Sequence, residues 1–151
     1  ASPRSFYRQN LTGKEVVGVL DYYGRWFFHS QWRVADYMNS GVLLLNLGLI
    51  RANGLFARCR QMCAQTKMFM PDQSALNKLA AHKSIAPRRY NEQRRLHRNT
   101  VFQHFTTSFR LLPWVHTLTV KPWEVDRVHT ELHLHEYDAL LQAYTRLKQA
   151  N

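Results

Sequence analysis

The chain has 151 residues and a formal net charge of +11, from 21 Lys and Arg against 10 Asp and Glu. Apolar residues make up 45% and aromatic residues 13%, which excludes a disordered chain and predicts a folded domain with its own core. Two cysteines are too few for a disulfide-stapled scaffold, and no apolar run reaches the length of about 18 residues that a membrane span needs. The positive charge predicts an anionic partner such as a phosphate, a nucleic acid or a lipid surface.

The first half of the chain predicts two strands and two helices. Residues 14–20 are rich in β-branched side chains and predict a strand. Residues 41–47 form a continuous apolar run after a glycine, which is typical of a strand buried on both faces. Apolar residues recur at helical spacing over 48–65 and predict one helix, and Pro71 suits the first position of a second.

The second half is less regular. Residues 100–105 predict a further strand, residues 106–120 show no clear period, and residues 124–149 predict a final helical region. Strands mixed with helices indicate an α/β fold. Cys59 and Cys63 lie four positions apart on one face of the predicted helix. We interpret them as reduced core residues, and half of a metal or redox site is the alternative.

The positive charge is concentrated between Asp72 and Glu124, where Glu92 is the only acidic residue. A stretch of one sign attracts phosphates, so we favour a functional contact with an anion over a merely solvated surface. The nine basic residues of this stretch are Lys78, Lys83, Arg88, Arg89, Arg94, Arg95, Arg98, Arg110 and Lys121.

Two short segments carry side chains suited to sugar binding. In the first, Asn39 offers an amide for hydroxyl recognition, and Gly41, after Ser40, allows close approach of a ligand. A turn before the strand is the alternative. In the second, Asp72 and Gln73 stand in the first turn of a helix, where the dipole favours a carboxylate. An N-terminal cap is the alternative there.

A third segment joins a histidine to a lysine further on. His104 follows an apolar run and could present an imidazole to a divalent ion, although a lone histidine also serves structural roles. Lys121, ahead of Pro-Trp, could neutralise a diphosphate.

Together and in this order, the segments N-S-G-V-L-L-L-N-L, D-Q-S-A-L-N, and H-F followed by K-P-W resemble the C-terminal half of the glycosyltransferase family 8 catalytic domain. That family includes glycogenin and bacterial lipopolysaccharide glycosyltransferases, and the resemblance extends over about residues 14–123. It implies part of a GT-A fold, a mixed sheet with flanking helices, over residues 1–123. A helical tail like that of bacterial members follows over residues 124–151.

The resemblance also implies an activity and a set of roles. We expect a retaining transfer of a hexose from a UDP-sugar to a saccharide or lipid-linked acceptor, with a Mn or Mg ion. Asp72 would hold sugar hydroxyls, Gln73 would lie close to the anomeric carbon, and His104 would bind the metal. The positions implied in donor binding are Asn39, Ser40, Gly41 and Lys121.

The sequence departs from the family pattern in two ways. It has no Asp-x-Asp motif, so we expect the nucleotide-binding half to be missing and the metal to bind weakly. His104 and Lys121 are 17 positions apart with no glycine between them, whereas the family spacing is short. His116 is therefore an alternative metal ligand, although we prefer His104 because it follows the apolar run.

A histidine-rich tract near the C-terminus resembles a zinc-binding helix only loosely. His129 and His133 would lie on one helix face, and His135 follows, but the glutamate does not have the H-E-x-x-H position. We interpret the tract as surface or packing.

Two other functions are weighed against the enzyme. One is a basic module that binds an anionic membrane or, less favoured, a nucleic acid, because aromatic residues are interleaved with the basic stretch. The other is a non-catalytic remnant. We expect a cytoplasmic protein that associates peripherally with the inner membrane surface. We also expect self-association, because a partial sheet with an unpaired edge strand favours pairing with another chain.

Overall fold

The computed structural model describes residues 2–22, 36–110, 114 and 116–149. These residues fall into two compact units that divide between His104 and Phe105. The sequence-predicted boundary between residues 123 and 124 therefore lies within the second unit.

A three-stranded mixed sheet forms the centre of the first unit. Its strands are β1 (Val16–Leu20), β2 (Met38–Leu45) and β3 (Lys83–Ile85), in the order β2-β1-β3. β1 pairs antiparallel with β2 and parallel with β3. Both strands predicted in the first half of the chain are therefore confirmed.

The pairing of β1 with β2 contains a bulge. Gly18 lies opposite Leu43, but Val19, the next residue, lies opposite Asn39. Residues 40–42 therefore stand between the paired positions, as expected of a bulge that redirects side chains next to a functional site.

Among the described residues of the first unit, four helices and the 3-10 turn Arg88–Tyr90 surround the sheet. The helices are α1 (Arg4–Tyr7), α2 (Leu47–Ala52), α3 (Leu55–Gln65) and α4 (Pro71–Leu79). The single helix predicted over 48–65 is wrong, because Gly54 has a left-handed φ of 66° and separates α2 from α3. Pro71 opens α4 as predicted.

Alternate residues of β1 pack into two different cores. Val16 belongs to a cluster with residues of α2, α3 and α4, whereas Val17 and Val19 belong to a cluster with Phe6 and Tyr90. Side chains alternate between the faces of a strand, so helices cover one face and the α1 and 3-10 segments contact the other.

The strand β2 contacts both cores without being fully buried. Leu43 and Leu45 pack on the first cluster, and Val42 and Leu44 pack on the second. All four side chains stay partly exposed, because β2 lies at the edge of the described sheet.

The strand predicted over 100–105 is wrong. This segment makes a single bridge, between Gln103 and Glu92, instead of a ladder. Val101 and Phe102 pack on the second cluster. Their apolar character therefore reflects burial of an extended segment and not strand pairing.

The part of the second unit that the structure describes contains a short hairpin and two helices. The hairpin pairs β4 (Ser108–Arg110) with β5 (His116–Leu118), and the helices are α5 (Val125–Thr130) and α6 (Asp138–Gln149). Buried Val120, Val128 and Leu141 form the core. The helical region predicted over 124–149 is interrupted at residues 131–137. Across the described residues, no helix combines the length and the apolar character of a membrane span.

Candidate functional site

A buried carboxylate follows β1. Asp21 is only 3% exposed, and its Oδ2 accepts hydrogen bonds from Asn39 Nδ2 at 2.8 Å and from Gln73 Nε2 at 3.0 Å. These bonds join β1, β2 and α4. Sequence reasoning missed Asp21. Its only signal was an acid directly after a β-branched strand.

The carboxylate orients both amides. A carboxylate oxygen that accepts these bonds must face NH2 groups, so the amide oxygens point away from it. They point to the bulge in β2, where Gln73 Oε1 accepts from the Ser40 N–H at 3.0 Å and Asn39 Oδ1 accepts from the Gly41 N–H at 2.9 Å. Side-chain amides thus satisfy the two backbone donors that the bulge removes from the ladder.

A third amide completes this arrangement. Asn91 is buried and donates from Nδ2 to Asn39 Oδ1 at 2.9 Å. We call Asp21, Asn39, Gln73 and Asn91 the amide cluster. All four are buried, so their geometry is held by hydrogen bonds in a region of low dielectric.

Asp72 and Ser40 lie beside the amide cluster and reach the surface. Ser40 Oγ is 3.1 Å from Asp72 Oδ2 and 3.4 Å from Gln73 Oε1. Met70, the residue before α4, makes no side-chain cap on the helix. The Asp72 carboxylate in the first turn accepts a hydrogen bond from the Ser40 hydroxyl on β2. The arrangement therefore presents a carboxylate and a hydroxyl next to a fixed amide.

Asn77 fixes the angle at which α4 meets β2. Its Oδ1 accepts from the Met38 N–H and its Nδ2 donates to the Met38 carbonyl, both at 2.7 Å. The same Nδ2 donates to the Gln73 carbonyl at 2.9 Å. The side chain thus pairs with the β2 backbone as a neighbouring strand would.

His104 lies directly against Gly41. A Cβ atom at position 41 would be 2.0 Å from Cε1 and 2.2 Å from Nδ1 of the imidazole. The His104 N–H donates to the Glu92 carbonyl at 2.8 Å, which holds this segment in place. The glycine predicted to permit close approach therefore accommodates a histidine ring of the same chain.

The first unit thus brings together six of the predicted site residues: Asn39, Ser40, Gly41, Asp72, Gln73 and His104. Lys121 belongs to the second unit, where its N–H donates to Glu124 at 2.7 Å. This hydrogen bond is the main reason why the pKa of the Glu124 carboxyl lies below its usual value, and a hydrogen bond from the Arg127 side chain lowers the pKa further. His116 begins β5, and its side chain lies outside the described residues.

The residues around His104 do not complete a site for Mn or Mg. Within the described part of the chain, His104 belongs to no group of three histidine, cysteine or acidic side chains close enough to share an ion. These ions require several oxygen ligands, and the nearby Asp21 carboxylate is engaged by two amides. We assign no chemical step to a metal at His104.

A cleft borders the Asp72 carboxylate between α3 and α4. It has a volume of about 350 Å³ and is lined by Phe56, Cys59, Arg60, Cys63, Asp72 and Leu76. The two cysteines are free and only partly buried. Burial, together with the nearby Cys63, raises the pKa of the Cys59 thiol.

The basic stretch is partly committed to contacts within the chain. Lys83 forms a salt bridge with Asp36 at 3.1 Å, and Arg88 pairs with the buried Glu92. Arg94 lies over the Tyr22 ring at 4.7 Å. The stretch is therefore not a continuous face of solvated cations.

The mixed sheet with its flanking helices is part of a GT-A fold, which confirms the predicted fold class. A solved structure that resembles it is an active-site glutamine-to-glutamate mutant of LgtC, a glycosyltransferase, with 16% sequence identity and a TM-score of 0.60. The match covers 99% of this chain and 56% of that chain, so the present chain spans about half the length of LgtC. No family model matches the sequence. No curated protein matches it either.

Proposed function

We propose that the chain forms the sugar-side part of a site for retaining glycosyl transfer, which takes a hexose from a UDP-sugar. The observation that carries this proposal is the amide cluster, because it fixes Gln73 and places Asp72 and Ser40 at one surface. The likeness of the fold to a glycosyltransferase supports it.

Each side chain has a role that its surroundings support. The exposed Asp72 carboxylate accepts hydrogen bonds from sugar hydroxyls, and the Ser40 hydroxyl beside it adds a second polar contact. Gln73, which Asp21 and the Ser40 N–H hold beneath this surface, would lie close to the anomeric carbon with its amide already oriented, so little reorganisation is needed. Asn39 acts as a positioning residue, since its amide is bonded to Asp21, Gly41 and Asn91.

The remaining parts of the proposal concern the other substrate groups. The family resemblance also implies a contact of Lys121 with the diphosphate and of His104 with a Mn or Mg ion. Neither contact is assigned to this site, because Lys121 belongs to the second unit and the residues around His104 do not complete an ion site. A saccharide or lipid-linked acceptor enters beside Asp72, where the cleft between α3 and α4 opens.

Donor hydrolysis tests this function. The protein is incubated with a panel of UDP-hexoses, and release of UDP is measured for wild type, Asp72→Asn and Asp126→Asn. Both acids occupy the second position of a helix and are exposed, so Asp126→Asn controls for charge and helix-dipole effects. We expect one UDP-hexose to be hydrolysed and Asp72→Asn alone to be slower. Equal rates of UDP release by the two variants would show that Asp72 does not belong to the site.

A peripheral contact with an anionic membrane is a second candidate function, and α6 favours it. Leu140, Tyr144 and Leu147 are exposed along this helix at positions that share a face, with Arg146 and Lys148 nearby. An apolar face flanked by cations is typical of helices that lie on a lipid surface. This contact is compatible with transfer to a lipid-linked acceptor.

A further inference from the structure

Three potential metal ligands come together where α5 is followed by α6. The prediction that His129 and His133 share a helix face is wrong, because α5 ends at Thr130. The chain passes through His133, which has a left-handed φ of 52°. This reversal stacks His135 on His129, with ring centroids 5.0 Å apart and planes inclined by 19°. Asp138 then opens α6.

The Asp138 carboxylate contacts both imidazoles. Its Oδ1 is 2.8 Å from His129 Nε2, and its Oδ2 is 3.7 Å from His135 Nδ1. The three ligand atoms all lie within 4.8 Å of one another. In a tetrahedral zinc site with bonds of about 2.0–2.1 Å, neighbouring ligand atoms are about 3.3–3.4 Å apart. Small side-chain rotations close this difference, and the His135 side chain, 70% exposed, can rotate without disturbing the core.

The backbone that carries these ligands is anchored. Val128, next to His129, is fully buried, and Leu141, one turn after Asp138, is 4% exposed. Both belong to the core of the second unit. A cleft of about 240 Å³ borders His129 and Asp138 and leaves room for a coordinated water.

We propose that His129, His135 and Asp138 bind a zinc ion. Two imidazole nitrogens with one carboxylate oxygen favour a borderline ion such as zinc over Mg or Mn, which prefer oxygen ligands. Water in the cleft completes four-coordination, and the ion links the end of α5 to the start of α6. The zinc site shares no residue with the proposed glycosyl-transfer site, so failure of one proposal does not affect the other.

Zinc titration of the full chain, freed of metal by a chelator, tests the proposal by calorimetry. His135→Ala removes a ligand on an exposed side chain, and His133→Asn is the matched control, since it alters the same tract and Asn tolerates a left-handed φ. We expect one zinc per wild-type chain at this site. His135→Ala should weaken it by more than about tenfold, because even outer-shell partners of a ligand are worth about that much.

Stability provides a second readout. At a zinc concentration near the wild-type Kd, zinc should raise the Tm of wild type and of His133→Asn by more than that of His135→Ala. The proposal is overturned if wild type binds no zinc, if His135→Ala binds as tightly as wild type, or if His133→Asn loses as much affinity as His135→Ala.

Discussion

Asp21 and Gln73 are 52 positions apart in the chain, and a hydrogen bond of 3.0 Å joins Gln73 Nε2 to Asp21 Oδ2. Asn39 donates to the same oxygen from the opposite strand. Because the carboxylate accepts from both amides, both amide oxygens face the bulge in β2. One buried acid therefore orients the two amides around which the glycosyl-transfer site is proposed.

Replacing Asp21 should destabilise the first unit. Asp21→Ala leaves two buried amide donors without their acceptor, at about 1–3 kcal/mol each, so we expect a loss of about 2–6 kcal/mol. Urea unfolding at constant m-value measures it. Asp126→Ala, at an exposed acid, should change stability by less than about 0.5 kcal/mol. Equal effects of the two variants would contradict a central role for Asp21.

A side chain at position 41 should collide with the His104 ring. Gly41→Ala brings a Cβ to 2.0 Å from Cε1 of the imidazole, and such overpacking costs about 1–3 kcal/mol. Gly48→Ala is the control, because within α2 its Cβ would meet nothing closer than 3.6 Å. It should be neutral or stabilise by up to about 1 kcal/mol.

The double variant shows whether the histidine is the cause. With His104→Ala in the background, the cost of Gly41→Ala should fall to within about 0.5 kcal/mol of zero. A cost that stays the same with and without the ring would mean that Gly41 is required for its backbone alone.

Local pattern predicted much of the first unit, and long-range contacts account for the rest. The β-branched run of β1 and the proline of α4 are local signals, and both elements are present. Asp21 has no such signal, because its role depends on partners 18 and 52 positions away. The helix break at Asn53-Gly54 was readable as a turn dipeptide, but the helical spacing on either side outweighed it.

The Cys59 thiol should ionise only at higher pH than an ordinary cysteine. Burial of the side chain disfavours the thiolate and raises its pKa. In a Cys63→Ser background, the rate of alkylation by iodoacetamide should therefore rise with pH through a midpoint above that of a small-molecule thiol. A midpoint at or below the small-molecule value would show that Cys59 is not shielded.

The exposed face of α6 should bind anionic vesicles. Leu140 is 69% exposed, and transfer of a leucine side chain into lipid is worth up to about 1.5–3 kcal/mol. Leu140→Ser should weaken sedimentation with phosphatidylglycerol vesicles by about tenfold. Gln142→Ser, also exposed on α6, should have no effect. Equal binding by both variants, or stronger binding to oligonucleotides than to vesicles, would contradict a membrane role for this helix.

The second unit was harder to predict from sequence. Its strands have three residues each, too few for an alternating pattern to stand out. The interruption at residues 131–137 lies within a tract of helix-compatible residues, so the sequence pattern predicts one helical region. The pairing of His129 with His135 and Asp138 exists only because of that interruption.

The most direct test of the glycosyl-transfer account is saturation-transfer NMR of the protein with UDP-hexoses. Since the amide cluster with Asp72 and Ser40 is proposed as the sugar side of the site, saturation should be strongest on the hexose ring protons. It should weaken in Asp72→Asn and persist in Asp126→Asn. Saturation that is strongest on the uracil and ribose protons, or absent with every UDP-hexose, would contradict the account.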